Sequence, residues 1–290
     1  MNSHLSARIR EKMPGFSKGQ RLIAKYIEEH YDKVAFMTAS RLGATVGVSE
    51  STVVRFATEI GYAGYPELQQ AMQEMIRSKL TSVQRMQVTA ERIGNSDVLE
   101  SVMNQDIDMI KRTLEETSRE DFYAAVDAIV SARKIYIMGA RSSLALATFL
   151  NYYFNLIFPN VHLVNCTSEA EIFEQMIRID ERDAVIGISF PRYSRKAVNA
   201  MDFASKRGAK VVAITDSTLS PLAQPANYLL LARSDMASFV DAIVAPLSLI
   251  NALIVTTALR KKDEVADIFH SLETIWDEYS VYEKVDEKSN

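Results

Sequence analysis

One cysteine in 290 residues, Cys166, leaves no intrachain disulfide framework and fits a reducing compartment. With only four histidines beside it, no Cys/His cluster has metal-ligand spacing, and no glycine-rich nucleotide motif occurs. Neither a metal nor a cofactor is therefore expected. The first sixteen residues, MNSHLSARIREKMPGF, lack an apolar core followed by a small-residue cleavage site, so no secretory signal is expected there. Long apolar runs are also missing. The richest stretch, FVDAIVAPLSLINALIVTTAL, is interrupted by Asp241, Pro246 and Asn251, and reads as a buried helix rather than a membrane span. What remains is ordinary globular composition, 48% hydrophobic and 24% charged, long enough for two domains. A cytoplasmic protein with no membrane segment is expected.

Charge is uneven along the chain. Residues 1–80 hold 11 Lys/Arg and 8 Asp/Glu, a net of +3, and the remaining residues hold 22 and 29, a net of −7. The acidic total hides a mildly basic N-terminal unit that hints at a polyanionic partner. Every element in that unit has helical period. SKGQ at residues 17–20 has the form of a capping box, Thr38 can cap the segment ASRLGATV, and Gly47 marks its end. Ser49 then caps a helix beginning at Glu50. Two short helices joined by a tight glycine turn make a helix-turn-helix. In SESTVVRFATEIGYAGYPEL, residues 49–68, Val53, Phe56, Ala57 and Ile60 form the inward stripe. Ser51, Thr52 and Arg55 are left outward near the N-terminal end, where a recognition helix meets base edges. Arginine can bond guanine bidentately, and Ser or Thr can reach bases or phosphates. Thr38 and Ser49, at the two helix starts, complete the candidate DNA-contacting set.

The run SRLGATVGVSESTVVRFATEIGYAGYPEL closely resembles the N-terminal domain of RpiR/MurR-type bacterial transcription regulators. The resemblance implies that the helix from Glu50 is the recognition helix, in agreement with its division into faces. It implies too that the tyrosines of GYAGY pack against the bundle, with Gly61 ending the helix and Pro66 in the first turn of the next.

Residues 81–118 read as a helical connector, with apolar spacing at Val98, Leu99, Val102, Ile107, Ile110 and Leu114. Its weakest point is ERIGNSDV, where Gly94 and Asn95 can break one helix and Ser96 can cap another. From Lys134 the period changes. KIYIM, VHLV, AVIGIS and KVVAIT begin at residues 134, 161, 184 and 210, with helical segments between them, and NYLLL follows. Strand and helix alternating in this way mean a parallel sheet covered on both faces. Ligands of such sheets sit beyond the carboxyl ends of strands. Three turns there are rich in hydroxyls: GARSSLALA with Ser142 and Ser143, SFPRYSRKAV with Ser189, Arg192 and Ser194, and DSTLSPLA with Ser220. Any of these serines can be an ordinary helix cap, but three such turns in succession favour a shared anion pocket.

Residues from about 120 to 260 resemble a sugar isomerase (SIS) domain, which implies a doubly wound α/β unit that binds phosphosugars. The expected architecture is thus an all-α helix-turn-helix domain (1–80), a helical connector (81–118), and a SIS domain with a five-stranded parallel sheet flanked by helices (119–290). Two loops depart from the family's pattern. Arg141 stands where a first-loop glycine is usual, and Pro191 and Arg192 replace a second-loop Ser-Gly. Arginine supplies charge where glycine supplied close backbone approach. The resemblance implies a non-enzymatic regulator of carbohydrate metabolism. Its partners would be double-stranded DNA and a small anionic metabolite, a phosphosugar or similar, and it would work as a homodimer or tetramer. The alternative is a SIS-type isomerase with an accessory helical domain, which would need a base; His162, Glu169 and Glu171 are the candidates.

Overall fold

The computed structural model describes residues 3–77, 81–94, 96–165, 167–235 and 240–283, so Asn95, Cys166 and Phe239 lie outside the described residues. The chain divides into two compact units, residues 1–95 and 96–290.

The first unit is helical: α1 (Ser3–Lys12), a 3-10 turn, α2 (Lys18–Val34, kinked at His30), α3 (Ala39–Val46), α4 (Glu50–Glu59), α5 (Tyr65–Arg77) and α6 (Ser82–Ile93). The capping box at Ser17 and Gln20 starts α2, and Thr38 caps α3 by accepting from the Arg41 N–H. Ile23, Ile27, Leu42, Val53, Phe56, Leu68 and Met72 are fully buried, and the Phe16 and Phe56 rings meet at 5.3 Å. Polar side chains of α5 satisfy carbonyls exposed where α2 ends. The Tyr65 hydroxyl donates to the Met37 carbonyl at 2.8 Å, and the Gln69 and Gln73 amides donate to Met37 and Ala35 at 2.9 Å. Burial drives the Tyr65 phenol up to about 12, so it stays a donor at all physiological pH.

The second unit opens with α7 (Val98–Glu116), capped by Asp97. Ser96 is therefore not the cap. Asp97 stands one residue nearer the helix, where its carboxylate reaches the N–H of Glu100 at 2.8 Å. Then come α8 (Arg119–Val130), β1 (Ile135–Gly139), α9 (Ser143–Ile157), β2 (Val161–Leu163), α10 (Glu169–Gln175), β3 (Ala184–Ile188), α11 (Arg195–Lys206), β4 (Lys210–Thr215), β5 (Tyr228–Leu231), α12 (Val244–Arg260) and α13 (Lys262–Glu278). The five strands pair in parallel in the order β2-β1-β3-β4-β5, as the strand-and-helix pattern requires. β1, β3 and nearly all of β4 are buried along their length, which is why they read as continuous apolar runs. Successive side chains serve opposite layers. Ile135, Ile137, Ile186, Ile188, Val212 and Ile214 pack with α8, α9 and α12, whereas Tyr136, Met138, Val185, Val211 and Ala213 pack with α10 and α11.

The apolar segment to Leu259 forms α12, whose Leu249, Ile250 and Leu253 enter the core. No single helix among the described residues is long and apolar enough to cross a membrane, and α12 and α13 meet at a 98° bend. On α7, Met109 and Thr113 turn inward, while Leu99, Met103, Ile107, Ile110 and Leu114 form an exposed stripe on another side.

The amino edge of the sheet is held by charge. Asp183 is wholly buried and receives two hydrogen bonds from Arg133, at 2.9 and 2.7 Å. Asp180 is held well below the usual carboxylate range by hydrogen bonds from Arg182, then by the nearby charge of Arg133. A depressed carboxylate contributes its stability above its ordinary pKa and loses it only as pH falls through the lowered value, so this cluster is intact at neutral pH. Arg133→Ala strands the buried Asp183 charge and should cost about 2 kcal/mol. That is less than the loss of a fully buried pair, because Arg133 is partly solvated. A lowered urea midpoint of the α/β unit is the expected result.

Candidate functional site

Two regions bring the candidate residues together, one in each unit. In the first, the turn between α3 and α4 is tight because its backbone closes on itself. Gly47 ends α3 at φ 75°, and the Val48 N–H reaches back to the Gly43 carbonyl at 2.8 Å. A Cβ on Gly43 would lie 2.8 Å from the Val48 carbonyl oxygen, so only glycine fits there.

That turn sets up the start of α4. Ser49 Oγ accepts from the Thr52 N–H at 3.3 Å and lies 2.9 Å from the hydroxyls of both Ser51 and Thr52. Three hydroxyls thus cluster at the positive end of a ten-residue helix. Arg55 is exposed one turn on, with Nε donating to the Ser51 carbonyl at 3.3 Å. Val53, Phe56, Ala57 and Ile60 are buried behind this face, as the heptad-like spacing requires. Thr38 is exposed at the start of α3, its hydroxyl engaged as a cap. Arg41, which the sequence reading did not single out, stands exposed on the first turn of α3 and has no side-chain partner among the described residues.

The second region is the carboxyl edge of the sheet. The order β2-β1-β3-β4-β5 means that the chain leaves β1 toward one edge and β3 toward the other. The turns after β1 and β3 part at that reversal and leave a crevice, the usual ligand position in such sheets. Gly139 ends β1 so close to α9 that a Cβ would fall 2.4 Å from the Ser143 carbonyl oxygen. Ser142, at the start of α9, makes no capping bond; its hydroxyl donates to Asp241 at 2.7 Å, linking positions 99 residues apart. Ser143 is 5% exposed, and its hydroxyl is engaged with no described residue. Arg141, between Gly139 and Ser142, has φ 58°, a left-handed conformation that favours glycine.

In the second turn the serines build the loop. Ser189 Oγ accepts from the Ser194 N–H at 3.1 Å, Ser194 caps α11, and the Tyr193 hydroxyl donates to Asp216 at 2.9 Å. Arg192 is exposed and makes neither an ion pair nor a hydrogen bond with any described residue. The third turn departs from expectation: no helix follows β4. Residues 216–227 run through turns directly to β5, since Pro221 and Pro225 deny a helix its N–H donors. Ser220 is buried there, 2.8 Å from the Thr215 hydroxyl, and receives the Leu222 N–H. Of the six residues expected at the pocket, Ser143 and Arg192 are therefore left at the crevice loops with no side-chain partner among the described residues, Ser142 is tied to Asp241, and Ser189, Ser194 and Ser220 shape the walls.

The three residues that were candidates for an isomerase base lie on β2 and α10. His162 bonds Gln175 at 3.2 Å within β2, Glu169 takes the Asn199 amide, and Glu171 is exposed at the capped start of α10. Among the described residues no group of three or more His, Cys, Asp or Glu could hold a metal ion.

Comparison with known proteins agrees with both halves. Residues 3–79 match the family model of the helix-turn-helix domain, rpiR family, and residues 128–256 match that of the SIS domain. An uncharacterized HTH-type transcriptional regulator of Caldanaerobacter subterraneus subsp. tengcongensis is 27% identical over 268 residues, which is 89% of this chain and 91% of that one. The sugar isomerase domain of an RpiR transcription factor from Sphaerobacter thermophilus is 27% identical, with a TM-score of 0.57 over 60% of this chain and 97% of its own. The Vibrio vulnificus NanR protein, complexed with ManNAc-6P, shares the fold at 22% identity and a TM-score of 0.58, over 95% of this chain and 98% of that one.

Because nothing but hydrogen fits at Gly139, Gly139→Ala should drive β1 and α9 apart. A loss of about 1–3 kcal/mol is expected for such overpacking, seen as a lower melting temperature than wild type.

Proposed function

From a chain that joins an RpiR-family helix-turn-helix domain to a SIS domain, we propose a DNA-binding transcriptional regulator whose α/β unit senses a phosphosugar or related anion. The observation that carries this reading is the solvent face of α4, where Ser49, Ser51, Thr52 and Arg55 surround a helix N-terminus backed by a fully buried stripe. In such a unit α4 enters the major groove and α3 crosses the backbone. Arg55 is positioned to read guanine; the hydroxyls at the helix start, Thr38 and Arg41 are suited to phosphates. We place the reader at residues 1–80, the connector at 81–118 and the sensor at 119–290.

The sensor reading rests on the crevice between β1 and β3. Ser143, 5% exposed and with its hydroxyl engaged with no described residue, stands on the same loops as two exposed guanidiniums, a set of groups that suits an anion. The protein therefore acts by binding rather than by turnover. Ligand docking changes the spacing of paired readers only by as much as it prefers one arrangement over another.

Two readers need two chains. The stripe from Leu99 to Leu114 on α7, about 22 Å long, suits a second copy of the same helix. Half-sites would then lie ~34 Å, one helical turn, or a multiple apart.

Two measurements test the proposal. Arg55→Ala should weaken binding to the chain's own promoter fragment by about 1–3 kcal/mol relative to random duplex, with an unchanged melting temperature; equal affinity in variant and wild type removes Arg55 from the reading set. An Ile107→Asp/Leu114→Asp pair should halve the mass measured by light scattering, whereas an unaltered mass places the interface elsewhere.

A further inference from the structure

We infer that α13 pairs antiparallel with α13 of a second copy of the chain, a contact separate from the pairing through α7. The inference goes beyond the proposed function and does not rest on it. α13 starts in the core and runs out of it. Val265 alone of its side chains is buried. Farther along, Ile268 is 38% exposed, Ile275 47% and Tyr279 72%. With Phe269, Leu272 and Trp276 these residues recur at three- and four-residue intervals, so they share one side of the helix. Asp263, Asp267, His270, Thr274 and Asp277 take the opposite side. An apolar stripe ~20 Å long, packed only at its first turn, is the signature of a face that meets a partner.

Charge decides what the partner is. From Lys262 to Glu278 the helix has one Lys and six Asp/Glu, a net of −5, which suits neither an anionic lipid surface nor a duplex. The chain's own last residues, KVDEKSN, hold one apolar side chain, too little to cover the stripe. A second α13 offers an apolar stripe of equal length. The basic residues Arg260, Lys261 and Lys262 stand at the start of the helix, and Glu273, Asp277 and Glu278 toward its end. Antiparallel pairing brings each acidic end to the other's basic start and opposes the two helix dipoles, whereas parallel pairing sets acid against acid. The contact is then isologous, with the same patch on both chains. Leu272, midway between Val265 and Tyr279, falls on the two-fold axis, and Ile268 of each chain faces Trp276 of the other.

Light scattering and the emission of Trp276, the single tryptophan, test this on the full chain. Ile268→Asp/Phe269→Asp, two turns from Trp276, should halve the wild-type mass and move the emission to the red, with the far-UV spectrum unchanged. Ile107→Asp/Leu114→Asp on α7 should halve the mass without moving the emission. A wild type of two chains that Ile268→Asp/Phe269→Asp reduces to one keeps the α13 pairing and removes that of α7. In a Cys166→Ser background, Leu272→Cys should give a disulfide-linked dimer on mild oxidation. Tyr279→Cys, ~21 Å from its copy, should not. An unaltered mass or emission in the Ile268→Asp/Phe269→Asp variant, or no link through Leu272→Cys, overturns the pairing. Links through both cysteines overturn its antiparallel sense.

Discussion

Strand β1 pairs with β3 in parallel from Ile135–Ala184 to Gly139–Ile188, and the geometry of the α/β unit depends on that ladder. A parallel neighbour can be reached only through a crossover, so each strand end must hand the chain to a turn and a helix. β1 feeds α9 on one face of the sheet, and β3 feeds α11 on the other. The turns diverge only between these two strands. Hydroxyl and guanidinium groups gather there, because a divergence of turns is the one place where the sheet edge leaves room for a ligand.

The opposite edge has a different task. Buried Asp183 and its Arg133 fork join the strand starts, and Asp180 with Arg182 extends the cluster into solvent. The carboxylates of that cluster are each paired with an arginine. At the carboxyl edge the side chains of Ser143, Arg141 and Arg192 have no hydrogen-bond or ion-pair partner among the described residues. Groups that satisfy one another hold the fold together, and groups left unsatisfied are available to a ligand. The reader follows a similar division: α4 has an apolar buried stripe and a helix start where the Ser49 hydroxyl takes the capping N–H and the Ser51 and Thr52 hydroxyls gather around it.

Much of this was legible in residue order. The strands were visible because full burial makes them unbroken apolar runs, and α3 and α4 because Thr38, Gly47 and Ser49 are caps with a definite chemistry. The roles of the loop serines were not legible. A serine that accepts an N–H within its own turn, as Ser189 does, has the same local sequence as one that awaits a ligand. Only the long-range geometry separates them, and Ser142 shows its scale, since its partner Asp241 lies 99 residues away. The missing helix after β4 is legible in Pro221 and Pro225, whereas the hydroxyls of DSTLS have the composition of a helix start. The left-handed backbone at Arg141 has a visible cue, an arginine in place of a family glycine, two residues after Gly139 closes on α9.

That arginine bears on how selectivity arises. Holding a non-glycine residue in the left-handed region costs about 1–2 kcal/mol, and glycine would avoid the cost. A glycine there lets backbone N–H groups approach a phosphate closely, which is a strong but undiscriminating cradle. Arginine gives up that approach and places charge farther out, on a side chain with reach and directional donors. The setting amplifies the change. Outside residues 1–80 the chain carries 22 Lys/Arg against 29 Asp/Glu, a net of −7, so an anion approaches the sensor against the prevailing field. Residues 1–80, at +3, carry the opposite balance, which favours a polyanion such as a DNA duplex.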